Sequence, residues 1–356
     1  MAQPAEPANL LTMADLLGPA TIRAAATLKV ADHIAAGATS TGALAELTGT
    51  RPDLLDLMLR HLAAQGVLDR HTESRDADAR YTLTELGGPL RSDHPQSVRR
   101  HLSATGLVGR ADMALVNLVH TVRTGEPAHA SIFGRDYWQS VNEDPAFVED
   151  LEADARNQSD AERVGWGAEL IIDSYDWAPV ERVVDVGGHT GAILTSLLQR
   201  HEHLHGTLID LKNVTAVAGR VFEAAGLADR TETVVGSFFE PLPVGGDVYL
   251  LSAILADWSD DQAVEILRRC AEAAGPTGKV LLAEVNLQVP GDPGTAAGPE
   301  LWLRATMPAP TRTADQLLAL VAAAGLRVTW QGPSTAVRSL LELAPAGPAE
   351  GEDGRC

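Results

Sequence analysis

Cysteine is almost missing from this chain: Cys270 and Cys356 are the only two in 356 residues. That excludes a disulfide framework and a cysteine-built zinc site. Neither thiol has a histidine nearby in sequence to make it reactive. Aromatic residues are only 4%, so Ala, Leu and Val must carry the core. No run reaches the ~18 uninterrupted apolar residues that a membrane span needs. The N-terminus has no basic flank ahead of an apolar stretch, so a secretory signal is not expected and the expected location is cytoplasmic. Cations are outnumbered as well, with 28 Lys and Arg against 48 Asp and Glu, a net charge of -20. Nucleic-acid affinity rests on cations set against phosphates, so neither a nucleic acid nor a membrane is an expected partner.

What remains is an ordinary globular composition, 45% hydrophobic and 21% charged, long enough for more than one core. Residues 1–12 are polar and expected to be loose. Over 13–100 the pattern predicts a helix from Thr21 to Ile34, a second helix capped by Thr41, and a third that opens on Pro52 and ends at Gly66. Short strands at 67–69 and 80–83 complete a winged-helix arrangement. Such a module can bind DNA, but Asp53 and Asp56 against Arg51 and Arg60 favour a dimerisation platform. Residues 101–178 read as a helical linker that contributes to the pocket. From 179 to 343 apolar runs alternate with helical periodicity: VERVVDVGG, HGTLIDL, TETVVGSFF, DVYLLSAIL and KVLLAEVNL are the strands. Continuous apolar strands alternating with helices imply an α/β fold, a parallel sheet covered on both faces. Residues 344–356 are expected to be disordered.

The first of these strands runs into Gly187-Gly188-His189-Thr190-Gly191 and then a helix. Glycines at such a turn let the backbone approach a ligand at the carboxyl end of the sheet. Asp210 tips the second strand, where an acid can accept hydrogen bonds from ribose hydroxyls. Together they point to an adenosine-containing ligand. The dinucleotide pattern G-x-G-x-x-G is broken by His189 and Ala192, which favours S-adenosylmethionine (SAM) over NAD.

DVGGHTG, LIDL, VVGSFFEPLP, LLSAILADWSDDQAVEILRRC, GKVLLAEV and TADQLLALVAAAGL resemble successive motifs of SAM-dependent small-molecule O-methyltransferases. TIRAAATLKVADHIAAGA and FGRDYW are similar to the bacterial branch that tailors aromatic polyketides, anthracyclines included. The resemblance implies a Rossmann-like class I methyltransferase domain behind a winged-helix dimerisation domain, a homodimer, and an aromatic small-molecule substrate. It implies that Gly187 and Gly188 line the methionine moiety, Asp210 binds the ribose, Ser237 and Phe238 flank the adenine, and Ser252 contacts the amino-acid end. It sets Arg156 near the SAM carboxylate.

Three positions depart from the family pattern. His189 stands where glycine is usual, Ser237 where an aspartate meets the adenine amino group, and Ala256 where many members carry the histidine that takes the substrate proton. A methyl group cannot act as a base. Asp257 and Glu284 are the substitute acids, although Asp257 could be a helix N-terminal residue and Glu284 a structural carboxylate. Trp138 and Arg304 are the candidate substrate-pocket residues, the alternatives being core packing and a surface ion pair. The Pro- and Gly-rich stretch VPGDPGTAAGPELWLRATMPAPT is expected to form a mobile pocket wall. The reaction implied is O-methylation of an aromatic natural product; hydroxylation, decarboxylation or a ring-forming rearrangement by a SAM-retaining relative is the alternative.

Overall fold

A computed structural model describes residues 9–72, 79–157, 169–285, 293–335 and 338–346. It divides into two compact units, 1–113 and 114–356, so the boundary falls inside the segment expected to bridge the domains.

In the first unit, helices Leu10–Met13, Leu17–Thr27, Val30–Ala35, Thr41–Thr48 and Pro52–Ala64 precede strands β1 (Leu68–His71) and β2 (Arg80–Leu83). The hairpin is antiparallel, with Leu68 opposite Leu83. Helix already begins at Leu10, inside the stretch expected to be loose; residues 1–8 lie outside the described residues. The single helix expected over Thr21–Ile34 is broken. Lys29 has φ +53, a left-handed conformation that ends one helix and re-aims the next. Ser40, not Thr41, caps the following helix, its Oγ accepting the Ala43 N–H at 3.3 Å. Pro52 does occupy the first turn of its helix, and Gly66 closes it at φ +76.

The second unit is built on a seven-stranded sheet. Its strands are β3 (Arg182–Val186), β4 (His205–Asp210), β5 (Thr231–Val235), β6 (Val248–Ser252), β7 (Lys279–Val285), β8 (Leu326–Ser334) and β9 (Arg338–Pro345). The spatial order is β5-β4-β3-β6-β7-β9-β8. Pairings from β5 through to β7 are parallel, as the apolar runs predict. β9 pairs antiparallel with both β7 and β8, closing the sheet in a way the sequence reading did not anticipate. β9 also carries Ala344 and Pro345 into the stretch expected to be disordered; residues 347–356 lie outside the described residues.

Both faces of the sheet are buried because alternate side chains of a strand point opposite ways. Val184, Leu251 and Leu282 enter one core, and their neighbours Val183, Leu250 and Leu281 enter the other. Strand order reverses between β3 and β6, so the carboxyl ends of these strands border a crevice, the position where open α/β sheets bind ligands. The stretch expected as a mobile wall is helical over Pro293–Thr306, with Pro299 inside the helix; its earlier part, 289–292, lies outside the described residues. No described helix is long and apolar enough to cross a membrane.

Candidate functional site

β3 is buried at four of its five positions and stops where Gly187 turns at φ +75. A Cβ on Gly187 would lie 2.6 Å from Ile254 Cδ1, and one on Gly188 would lie 2.5 Å from Asp185 Oδ2. A side chain is disfavoured at Gly187 by its positive φ and at Gly188 by the crowding against Asp185 and Leu208. His189 follows at φ +52. An L-residue pays roughly 1–2 kcal/mol in that region, which is why glycine suits the position, though histidine is among the side chains found there more often. Its N–H donates to Asp210 Oδ2 at 2.8 Å, and Asp210 Oδ1 accepts the Leu211 N–H at 2.7 Å.

Gly187, His189, Asp210 and Leu211, but not Gly188, line a cavity of about 530 Å³ together with Ser237, Phe238, Ser252, Ala253, Asp257, Trp258 and Trp138. The structure therefore brings Gly187, Asp210, Ser237, Phe238, Ser252 and Asp257 to one cavity. Gly188 sits in its turn directly above Asp185. Phe238 meets Trp258 edge-on at 5.5 Å between ring centres, and Trp258 meets Phe239 at 4.9 Å, so the wall beside Ser237 is aromatic. Ser237 Oγ accepts the Phe239 N–H at 3.2 Å. The side chain of Arg156 lies outside the described residues.

A second cavity, about 900 Å³, is lined by Trp138, Trp258, Arg304, His120, Met307 and Asp136 among others. Asp136, Trp138, Trp258 and Gln262 line both spaces. Trp138 is half-buried and borders both cavities. Asp136 caps the helix Tyr137–Glu143, its side chain accepting the Gln139 N–H at 2.8 Å, and that cap sets Trp138 at the helix start. Arg304 lines the cavity but its Nε already donates to Glu300 at 2.9 Å, so the surface ion pair and the pocket position are both real.

Glu284 does not share the cavity of Asp257. It lines a separate space of about 280 Å³ with Ala256, Arg312 and Gln331. Glu284 Oε1 accepts its neighbour's Val285 N–H at 2.8 Å. Burial pushes its carboxyl up to about 7, against the pull of the Val285 N–H and of Arg338 and Arg312. Burial, and then the charge of Glu284, push Asp257 up to about 8. Asp185, wholly enclosed and with Oδ2 free of any partner, is pushed up to about 7 by burial and by Asp210. Burial raises Asp210 too, opposed by His189 and by the two N–H donors.

Two arginines escaped the sequence reading. Arg338 on β9 is 2% exposed and donates to Ser252 Oγ at 2.7 Å and to the Ala283 carbonyl at 2.8 Å. Arg312 grips the loop after β6. A basic residue opening the apolar run RSLLELAP was the available signal for the first; nothing local marked the second.

The backbone cradle and the acid at the tip of β4 fit an adenosyl ligand, and the comparison with known proteins agrees. The O-methyltransferase domain matches residues 115–327, and the O-methyltransferase dimerisation domain matches 12–90. The chain belongs to the O-methyltransferase family. This methyltransferase is 41% identical to 2,7-dihydroxy-5-methyl-1-naphthoate 7-O-methyltransferase of Streptomyces carzinostaticus, over 94% of this chain and 97% of that one. It is 37% identical to aclacinomycin 10-hydroxylase RdmB of Streptomyces purpurascens, over 91% and 87%. Its fold is similar to that of the neocarzinostatin-pathway O-methyltransferase NcsB1, crystallised with S-adenosyl-L-homocysteine and 1,4-dihydroxy-2-naphthoic acid. There the TM-score is 0.79 at 40% identity, covering 96% of this chain and all of the other. SAM is the cofactor of the methyltransferase.

Proposed function

We propose that this methyltransferase acts on a phenolic hydroxyl of a fused-ring aromatic natural product held in the larger cavity. The observation that carries the reading is the shared wall: Trp138 and Trp258 border both the cofactor cavity and the larger space, so a planar ligand against them faces the cofactor. Relatives that act on naphthoates, or were crystallised with one, support the substrate class.

Bound SAM supplies a methyl group on a sulfonium and leaves as S-adenosylhomocysteine. The chain holds the partners together. In this reading Gly187 and Gly188 admit the methionine moiety, Asp210 takes the ribose, Ser237 and Phe238 flank the adenine, Ser252 meets the amino-acid end, and Arg156 meets the carboxylate. Trp138 supports the acceptor ring. Arg304 reaches a substrate carbonyl or carboxylate by exchanging Glu300 for it. Asp257 borders the cofactor cavity and is protonated at neutral pH, so it orients the acceptor hydroxyl there and accepts its proton as pH approaches 8. Glu284, in its own cavity, tunes Asp257 by charge. Alignment of the nucleophile supplies most of the acceleration.

The test is incubation with SAM and a panel of polyketide phenols. A mass gain of one methyl with equimolar S-adenosylhomocysteine is expected. Ala256, which cannot take a proton, together with the relative that is a hydroxylase, favours one second reading, a non-methylating reaction in the same site. Product formed without S-adenosylhomocysteine would establish that second reading instead.

The same proposal has the chain acting as a homodimer with no further macromolecular partner. Leu10, Leu11, Met13, Leu16 and Leu17 are all more than half exposed, just before and at the start of the matched dimerisation domain, apolar surface that a second copy would cover. Sizing in solution at twice the chain mass is expected; a monomer at micromolar concentration would refute the pairing.

A further inference from the structure

The loop that follows β6 carries Leu255, Ala256, Asp257 and Trp258; a single 3₁₀ turn gives the Leu255 carbonyl the Trp258 N–H at 3.3 Å, and the Leu255 and Trp258 carbonyls on either side of Asp257 also face a side-chain donor. Arg312 takes them. Its side chain is 8% exposed, and its Nη1 donates to the Leu255 carbonyl at 2.5 Å. Its Nη2 donates to the Trp258 carbonyl at 2.6 Å and its Nε to Asp260 Oδ1 at 2.8 Å. One planar guanidinium thus spans the turn and the first residue of the helix Asp260–Ala274 behind it. The arginine is itself anchored, because the next residue, Thr313, opens the helix Ala314–Ala323 with a reciprocal cap to Gln316.

Arg312 lines the small cavity with Ala256 and Glu284, and it lines neither the cofactor cavity nor the larger one. Whatever it contributes to methyl transfer must pass through the loop. What the loop presents on its other side is Asp257 and Trp258, the acid and the ring that border the reacting partners.

We infer that Arg312 is a positioning residue for methyl transfer, a three-pronged clamp that sets Asp257 and Trp258 against the acceptor without touching it. The inference rests on the reading that the acceptor sits beside this loop. Lysine replaces the clamp only in part, since an ammonium keeps the charge but lacks the flat fork that reaches three separated acceptors.

The experiment compares full-length Arg312→Met and Arg312→Lys with the parent. Calorimetry with S-adenosylhomocysteine counts the competent sites and gives their affinity, and turnover is measured per competent site with a phenol that the parent methylates. Expected are an unchanged S-adenosylhomocysteine affinity and a kcat lowered about 10–100-fold in the Met variant, the scale of a misplaced near-attack geometry, with partial recovery in the Lys variant. A merely structural arginine would lower the number of competent sites and leave kcat per site at the parent value; that result overturns the inference. If the Met variant does not fold, the Lys variant decides on the same two readouts. If no phenol is methylated, the substrate reading has failed separately, and the clamp is judged by hydrogen exchange in the S-adenosylhomocysteine complex. Faster exchange confined to the amides of 255–258 upholds it, and parent-like exchange there refutes it.

Discussion

Asp210 Oδ2 accepts the backbone N–H of His189 at 2.8 Å, so the acid that ends β4 holds the loop that follows β3. Its other oxygen takes the Leu211 N–H. The bond holds His189 in its left-handed conformation at the edge of the cavity that His189 and Asp210 both line. Behind this pair lies Asp185, buried and with Oδ2 unpartnered, that oxygen set against the place where a side chain on Gly188 would have to go.

Gly188→Ala follows from that crowding. The added methyl would sit 2.5 Å from Asp185 Oδ2 and 2.8 Å from Leu208 Cδ1, closer than real contacts allow. Loss of stability by about 1–3 kcal/mol is expected, the usual scale of overpacking. S-adenosylhomocysteine affinity should fall with it. Urea unfolding and calorimetry read the two effects, and a variant with parent affinity would show that the turn is not a cradle.

Asp257→Asn tests the acid in the proposed cofactor cavity. Because Asp257 is pushed up to about 8, its base form accumulates as pH rises through that value. The parent rate on a phenol should therefore climb between neutral pH and about 9. In the Asn variant the limb near 8 should vanish and the alkaline rate should fall about 10²-fold, the lower end of what a general base contributes. A pH profile identical to the parent's would remove Asp257 from the reaction.

Stability should also depend on pH, with a definite sign. Asp185, Glu284 and Asp257 have folded values of about 7, 7 and 8, all above the ordinary carboxylate range. The folded chain then binds more protons than the unfolded chain from about pH 4 upward, and stability declines as pH rises. The contribution of these groups is complete below the unfolded values and is lost as pH passes through 7 to 8. Ligand-free protein should show a urea midpoint that drops between pH 6 and 9, and Asp185→Asn should flatten the drop. A midpoint rising across that range would contradict the burial of these acids.

Ser237→Asp addresses the adenine wall. A neutral hydroxyl replaced by a charged acceptor should strengthen the bond to the adenine amino group and tighten S-adenosylhomocysteine binding about tenfold, or 1.4 kcal/mol. Calorimetry checks it. Unchanged affinity would mean that the adenine does not lie against residue 237.

How far these positions could be read in advance differs by kind. The five parallel strands from β3 to β7 and the glycine loop were legible because each is a run of neighbours: an apolar stretch, a turn, a helix. The break at Lys29 was not, since Thr21 to Ile34 keeps its apolar spacing across a single residue at positive φ. Nor were β8 and β9. β8 alternates exposed with half-buried residues, and β9 forms only by adding antiparallel to an edge built elsewhere. The helix over Pro293–Thr306 was hidden by its prolines and glycines, which local propensity reads as loop.

Asp257 and Glu284 illustrate the remaining gap. Both were legible as acids near the end of a strand, but their assignment to different cavities was not.

The sequence by itself determined the alternation of strands and helices from β3 to β7, the glycines at 187 and 188, and the acid at the tip of β4, since local periodicity and residue chemistry encode them. Only the tertiary structure decided which charges are buried and what faces them: Arg338 meets Ser252 across 86 positions of chain, and Arg312 reaches Leu255 across 57. Protonation of the buried acids follows from those distant encounters, because desolvation and opposing charge are properties of the packed site and of no segment alone.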